Sequence, residues 1–341
     1  MSLESFRHWL INFLLKLIFV SRRPIYSRFL IYFLSFVVEG VDNTWLLPDK
    51  SRGLWIGNGI SSDKKESLTD RLAKSDVVLL WIPGGGFRFD LGGLYHATFI
   101  HWLKKMNAKN INCTILLSSY RHCPEYPFPA ALEDLSSIQH YLLNDLNVPR
   151  NKLIWGADDA GAVIVLDTLY YKIETTQLPH GLLLSSPYIG LDAGGKSWQE
   201  NNGLDLITEG AVNRMEQAYF PEYDKDINYR TFDDDDDDLP RPSINKIKPL
   251  GYLDTIDDNF AKYLPSKILV TVGGKEVLLD DAAWLVKKIR ESGGLDVTLL
   301  QSPGQVHLST LLGPPFVQDT SEWNRTLDQW TEFIQRMIVN K

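Results

Sequence analysis

Cysteine is scarce in this chain: Cys113 and Cys123 are the only two among 341 residues. Two cysteines cannot knit a secreted disulfide scaffold. With no CxxC pair and no Cys/His cluster, nothing suggests a zinc centre, and no metal or cofactor is expected. A reducing compartment, or a membrane face turned toward one, is the simplest setting. Basic charge is also in deficit, with 35 Lys and Arg against 43 Asp and Glu, a net charge of −8. No global positive field would therefore hold nucleic acid phosphates, and nucleic acid is not expected as a partner. Six of the acids form one run, Asp233 to Asp238. It lacks EF-hand spacing and reads as a solvated loop. Uninterrupted apolar runs of the ~20 residues that span a bilayer are missing as well. So are internal repeats. The triplets Asn112-Cys113-Thr114 and Asn324-Arg325-Thr326 have the form of glycosylation sequons, but the first leads into an apolar run that should be buried.

What is present is apolar material for a large core: 44% hydrophobic residues and 11% aromatics. Near the N-terminus two short apolar runs, residues 9–20 and 28–39, flank a basic turn holding Pro24. The charge follows the first run and no Ala-x-Ala site appears, which argues against a cleaved signal peptide. His8, Asn12 and Lys16 fall on one helical stripe, as do Arg28, Tyr32, Ser35 and Glu39. Both segments thus read as helices with a broad apolar face and a narrow polar seam. Two readings stay open: a pair lying in a membrane interface, or a cap over an apolar site. The expected location is accordingly a membrane surface, such as that of the endoplasmic reticulum, or the cytoplasm.

From residue 76 short apolar runs alternate with helical stretches. Residues 77–82, 113–119, 153–156, 181–186, 267–273 and 296–302 read as strands, most of them continuously apolar, as strands covered on both faces are. Residues 95–108, 130–146, 160–173, 280–292 and 319–338 read as helices. The alternation predicts an α/β fold with a mostly parallel sheet and helices on both faces. Residues 190–262 break the rhythm with a helix over 207–220 and a Pro-rich stretch, and read as a lid insertion. The division is residues 1–75 as an N-terminal cap or membrane segment and 76–341 as the main domain.

Five loops carry chemistry-bearing residues. Gly84, Gly85 and Gly86 follow the strand at 77–82, and consecutive glycines can turn backbone N–H groups toward one anion. Residues 120–134, YRHCPEYPFPAALED, follow the next strand. In Gly156-Ala157-Asp158-Asp159-Ala160-Gly161-Ala162 small residues flank a polar tip, as a tight strand-to-helix elbow needs. The register with Asp159 at the tip gives Gly161 a role; the register with Asp158 there does not. Glu276 follows one late strand and His307 the last, the places for an acid and a base in an open α/β sheet. Asp280 and Asp281, one turn after Glu276, fit helix capping better.

Taken together, these loops resemble the α/β-hydrolases of the hormone-sensitive-lipase type, whose fungal branch includes steryl acetyl hydrolases. The resemblance covers residues 76–338, and the block at 120–134 matches the family's pattern throughout. It implies an α/β-hydrolase fold with a helical cap, an oxyanion hole from the N–H groups of Gly85, Gly86 and Ala160, Glu276 as acid and His307 as base. It implies hydrolysis of lipid or acyl esters and an apolar small-molecule or lipid ligand. Three departures stand out. Pro83 replaces the histidine before the glycines, Ala157 and Ala162 replace the elbow's outer glycines, and Asp159 stands where the family has its nucleophilic serine. An aspartate needs no activation, since its ordinary pKa is about 3.9. After attack on a carboxylic ester, however, the carboxylate leaves more readily than an alkoxide, and the intermediate reverts. Two alternatives to ester hydrolysis follow: attack on saturated carbon, with His307 then activating water, or a catalytically inert binding or scaffold protein.

Overall fold

A computed structural model describes residues 3–35, 41–62, 66–190, 195–221, 259–314, 316–317 and 319–339. The six-aspartate run and the Pro-rich stretch lie outside the described residues. Helices α1 (Leu3–Val20) and α2 (Pro24–Ser35) form an N-terminal hairpin; Pro24 opens α2, where its missing N–H has no helical acceptor in any case. Strands β1 (Leu46–Asp49) and β2 (Gly53–Ile56) and helix α3 (Leu68–Lys74) precede the alternating part. Then follow β3 (Val77–Ile82), α4 (His96–Ala108), β4 (Cys113–Ser118), α5 (Ala130–His140), β5 (Leu153–Asp159), α6 (Ala160–Tyr171) and β6 (Gly181–Pro187). The lid region contributes α7 (Ser197–Glu200) and α8 (Glu209–Tyr219). The chain ends with β7 (Lys267–Gly273), α9 (Leu279–Ser292), β8 (Asp296–Ser302), α10 (Ser309–Leu312) and α11 (Thr320–Val339).

All eight strands form one sheet in the order β1-β2-β4-β3-β5-β6-β7-β8. From β4 to β8 the neighbours are parallel, whereas β1, β2 and β4 pair antiparallel. The α/β-hydrolase fold expected from the sequence is therefore present. Strands β1 and β2 lie on the N-terminal side of the 75/76 division, so the sheet takes two of its strands from the segment assigned to the cap. They escape a pattern search because each is four residues long and β1 contains Pro48, which sits at the sheet's edge as strand prolines do.

The order also explains where the site lies. From β3 the chain crosses to β4 on one side, then returns to β5 on the other, so β3 and β5 are neighbours at a topological switch point. Loops diverge there and leave a crevice at the strands' C-terminal ends. Every residue of β3, β4, β5 and β6 is buried, as strands covered on both faces require. Behind the crevice the core is aromatic: Trp81 stacks on Trp330 at 5.5 Å and meets Phe99 edge-on at 5.2 Å.

The hairpin packs as a cap. Ile11, Leu15, Ile18 and Phe19 of α1 and Ile31 and Leu34 of α2 join the core. Polar ties fix it to the body. Arg28 is paired with Glu125 at 2.8 Å and donates to the carbonyls of Arg88 and Cys123. Arg88 in turn donates to the carbonyls of Ser21 and Arg22. Glu125 thus ties the loop at 120–134 to α2. Within that loop Arg121 is paired with Glu133 and Asp134. Among the described residues no helix is long and apolar enough to cross a membrane.

Candidate active site

Asp159 ends β5 and immediately precedes α6, with φ 45° and ψ −128°. This conformation is sparsely populated for any residue with a side chain and persists only where the surroundings impose it. Here they do. A Cβ on Gly161 would lie 2.4 Å from the carbonyl oxygen of Ile82, so α6 can approach β3 only with glycine there. Gly84 is equally constrained, since its Cβ would lie 2.4 Å from that of Asp159. The turn aims the Asp159 side chain at the glycine loop and away from the strand.

The glycine loop meets it. Gly85 and Gly86 have φ of 118° and 56°, so a side chain at either would be strained. Their N–H groups converge on one atom, Asp159 Oδ2, each at 2.9 Å. Ala160, expected to supply a third donor, is the first residue of α6, directly after Asp159. The remaining carboxylate oxygen, Oδ1, lies 3.5 Å from His307 Nε2. That distance allows ion pairing but is too long for a well-formed hydrogen bond. Among the described residues neither Oδ1 nor Nε2 has a hydrogen-bond partner. His307 Nδ1 lies 3.2 Å from Glu276 Oε2, and Glu276 Oε1 accepts from Ser186 Oγ at 2.8 Å and from the N–H of Gly273. The structure therefore brings Asp159, Glu276, His307, Gly85 and Gly86 into one cluster.

All three ionisable side chains are cut off from water; Asp159 and His307 are 0% exposed and Glu276 1%. Burial alone would push the His307 pKa down, but the Asp159 and Glu276 carboxylates on either side more than reverse it and hold it well above the usual range. Burial would likewise raise the Asp159 pKa, yet His307 and the Gly85 and Gly86 donors bring it below the ordinary carboxylate value. The surroundings thus favour the ionised form of Asp159 and the protonated form of His307.

Asp158 has a separate task. It accepts from Trp81 Nε1 at 2.7 Å, the N–H of Gly84 at 2.9 Å and the Tyr95 hydroxyl at 2.8 Å. Burial pushes its pKa up to about 7 against the pull of these donors. It ties the glycine loop to the sheet from below, in keeping with the register that puts Asp159 at the tip. Asp280 and Asp281 do not serve as the expected caps. They accept from the N–H of Ser197 and from Trp198 Nε1, and so tether α7.

Three neighbours were not legible in the sequence. Asp205, between α7 and α8, accepts from the N–H of His307 and of Val277, each at 2.8 Å, and clamps the loops that carry His307 and Glu276 together. Ser186 reaches both Glu276 and the N–H of Leu308. Phe19 of α1 packs edge-on over the His307 ring, with centroids 5.9 Å apart, and also against Phe89. Nothing local marks these residues, because their roles depend on partners about 70 residues or more away. Gly86 faces Met215 of α8, which would sit 2.5 Å from a Cβ there. The cap thus closes directly on the cluster.

The chain is similar to several known proteins. An esterase of Acinetobacter venetianus is 29% identical over 185 residues, covering 54% of this chain and 52% of that protein. The chain thus spans about half that relative's length. A 2-hydroxyisoflavanone dehydratase of Glycyrrhiza echinata is 26% identical over 255 residues, 70% of this chain and 71% of that one. The solved structure of an esterase from the bacterial hormone-sensitive lipase family superposes with a TM-score of 0.67 at 21% identity, covering 99% of each chain. A family model described as the alpha/beta hydrolase fold matches residues 79–311, and the chain belongs to that family.

Proposed function

We propose that this chain is a non-hydrolytic member of its esterase-like family, a closed hydrolase-fold binding or scaffold protein whose anion pocket is filled by its own aspartate. One observation supports this above all: Asp159 Oδ2 takes the hydrogen bonds of both Gly85 and Gly86. In ester hydrolysis these N–H groups would have to meet the oxygen that gains charge in the tetrahedral intermediate. A carboxylate already there denies the substrate carbonyl that place. The base is compromised as well, because an imidazolium between two carboxylates has no free lone pair to accept a proton. Fold and family by themselves do not decide the chemistry.

A second reading is favoured by a different detail, the unpartnered Oδ1. Attack of Oδ1 on an epoxide carbon would form a C–O bond and open the ring, and the imidazolium would protonate the new alkoxide. The resulting alkyl ester would keep Oδ2 as its carbonyl oxygen, already held by two N–H groups. Neutral His307 would then take a proton from water as the water adds to Cγ. Breaking the Cγ–Oδ1 bond and returning the proton would release a diol and restore the carboxylate. An apolar epoxide would have to pass Phe19 and Met215 to reach Oδ1.

One experiment separates the readings. Wild type and His307→Ala are incubated with medium-chain epoxides and short p-nitrophenyl esters, with turnover followed and adducts sought by intact mass. No turnover and no adduct is the expected result. An adduct at Asp159 that accumulates in His307→Ala would establish the second reading. Ester turnover by wild type, lost in Asp159→Asn, would overturn both.

A further inference from the structure

The α1–α2 hairpin has a second apolar face. Leu10, Phe13, Leu17 and Val20 recur at helical spacing along α1, opposite the stripe that joins the core. Ile25, Tyr26, Phe29, Tyr32 and Phe33 do the same along α2. They are between 38% and 67% exposed. Among the described residues the other exposed large apolar side chains are Tyr126 and Leu204. Both adjoin the hairpin: Glu125 is paired with Arg28, and the carbonyl of Gly203 accepts from Lys16. The exposed large apolar surface of the described protein is therefore gathered on one side. A patch of this kind on a folded protein marks a contact surface.

Charge says what it contacts. Residues 10–35 contain Lys16, Arg22, Arg23 and Arg28 and no acid. Lys16 and Arg28 are engaged with the body, which leaves Arg22 and Arg23, both exposed, at the bend where the two apolar stripes meet. The chain as a whole carries −8, so an anionic surface would attract this bend and repel the body, fixing one orientation. Tyrosines and phenylalanines beside arginines suit the boundary between headgroups and acyl chains. A second copy of the chain suits the patch less well. An isologous contact between two hairpins would bring no acid from residues 10–35 to meet the arginines.

We infer that the α1–α2 hairpin docks face-on to an anionic lipid bilayer, its outer apolar stripes in the acyl boundary and Arg22 and Arg23 among the headgroups. The inference does not depend on whether the buried cluster turns over. It is tested by flotation of the full chain with vesicles of phosphatidylcholine alone or mixed with phosphatidylserine. Wild type should float with the mixed vesicles and less with the neutral ones. Phe29→Asp/Phe33→Asp should lower the partition coefficient by about tenfold or more. Arg22→Glu/Arg23→Glu should lower it by about tenfold on mixed vesicles and little on neutral ones. Both variants alter exposed residues, so unchanged far-ultraviolet dichroism and melting are expected alongside. Absence of flotation in wild type, or flotation unaffected by Phe29→Asp/Phe33→Asp, would overturn the inference. So would a wild-type dimer that this variant dissociates without any vesicle binding, since the patch would then serve a second copy.

Discussion

Replacing Asp159 with serine should switch on ester hydrolysis. Against p-nitrophenyl acetate at pH 8, Asp159→Ser is expected to exceed wild type by about a hundredfold or more, the effect of regaining one oxyanion donor. Three changes act together. The N–H groups of Gly85 and Gly86 lose the carboxylate that occupies them and become available to a substrate carbonyl. His307 loses one of its two flanking anions, so its pKa falls and a neutral imidazole becomes accessible. The strained elbow then presents a hydroxyl, whose proton His307, still oriented by Glu276, can accept. Steady-state kinetics on the folded proteins decide the matter. Equal rates for wild type and Asp159→Ser would mean that Asp159 does not block the pocket.

His307→Ala should be strongly destabilising, by about 3–5 kcal/mol at neutral pH, because it removes the cation from a buried cluster and leaves two carboxylates facing one another. In an enzyme the cost of removing a catalytic group often runs the other way, since active sites trade stability for function. The pH dependence sharpens the expectation. The folded pKa of His307 is raised, so its stabilising contribution is full below about 6.5 and is lost as pH climbs through the folded value. That of Asp159 is lowered, so its contribution is present above about 3.9 and is lost as pH falls through the folded value. The variant's deficit should therefore be greatest near neutrality and shrink toward pH 4, where its stranded carboxylates take up protons. Thermal melts of both proteins from pH 4 to 9 test this. A uniform deficit would point to lost packing under Phe19 rather than lost charge.

Much of this is legible in the sequence alone. Continuous apolar runs such as Val77–Ile82 announce strands covered on both faces, and their loops carry the glycines, Asp159, Glu276 and His307. The elbow register was readable because Gly161 must be glycine where α6 crosses β3, a steric demand that survives in sequence as a fixed offset from Asp159. Other features left no such trace. Strands β1 and β2 are too short to show a period, and Pro48 disguises the first. Asp205 sits in an unremarkable Gly-Leu-Asp-Leu stretch, and only folding brings it under the N–H of His307. The N-terminal helices showed an apolar face, but whether that face was used inward or outward could not be read from periodicity. It is used both ways, with Phe19 and Ile31 inward and Phe13 and Phe29 outward.

The pocket is expected to hold an ionised aspartate against a charged histidine. The direct test is the protonation state of the His307 imidazole, read by nitrogen-15 NMR of histidine-labelled protein, with His307→Ala spectra to assign its signals. In wild type the His307 nitrogens should both remain protonated at pH 8, and in Asp159→Ser the ring should be neutral at the same pH. A wild-type His307 that titrates near its ordinary value of about 6.5, or is neutral at pH 7, would mean that Asp159 does not hold the imidazole charged.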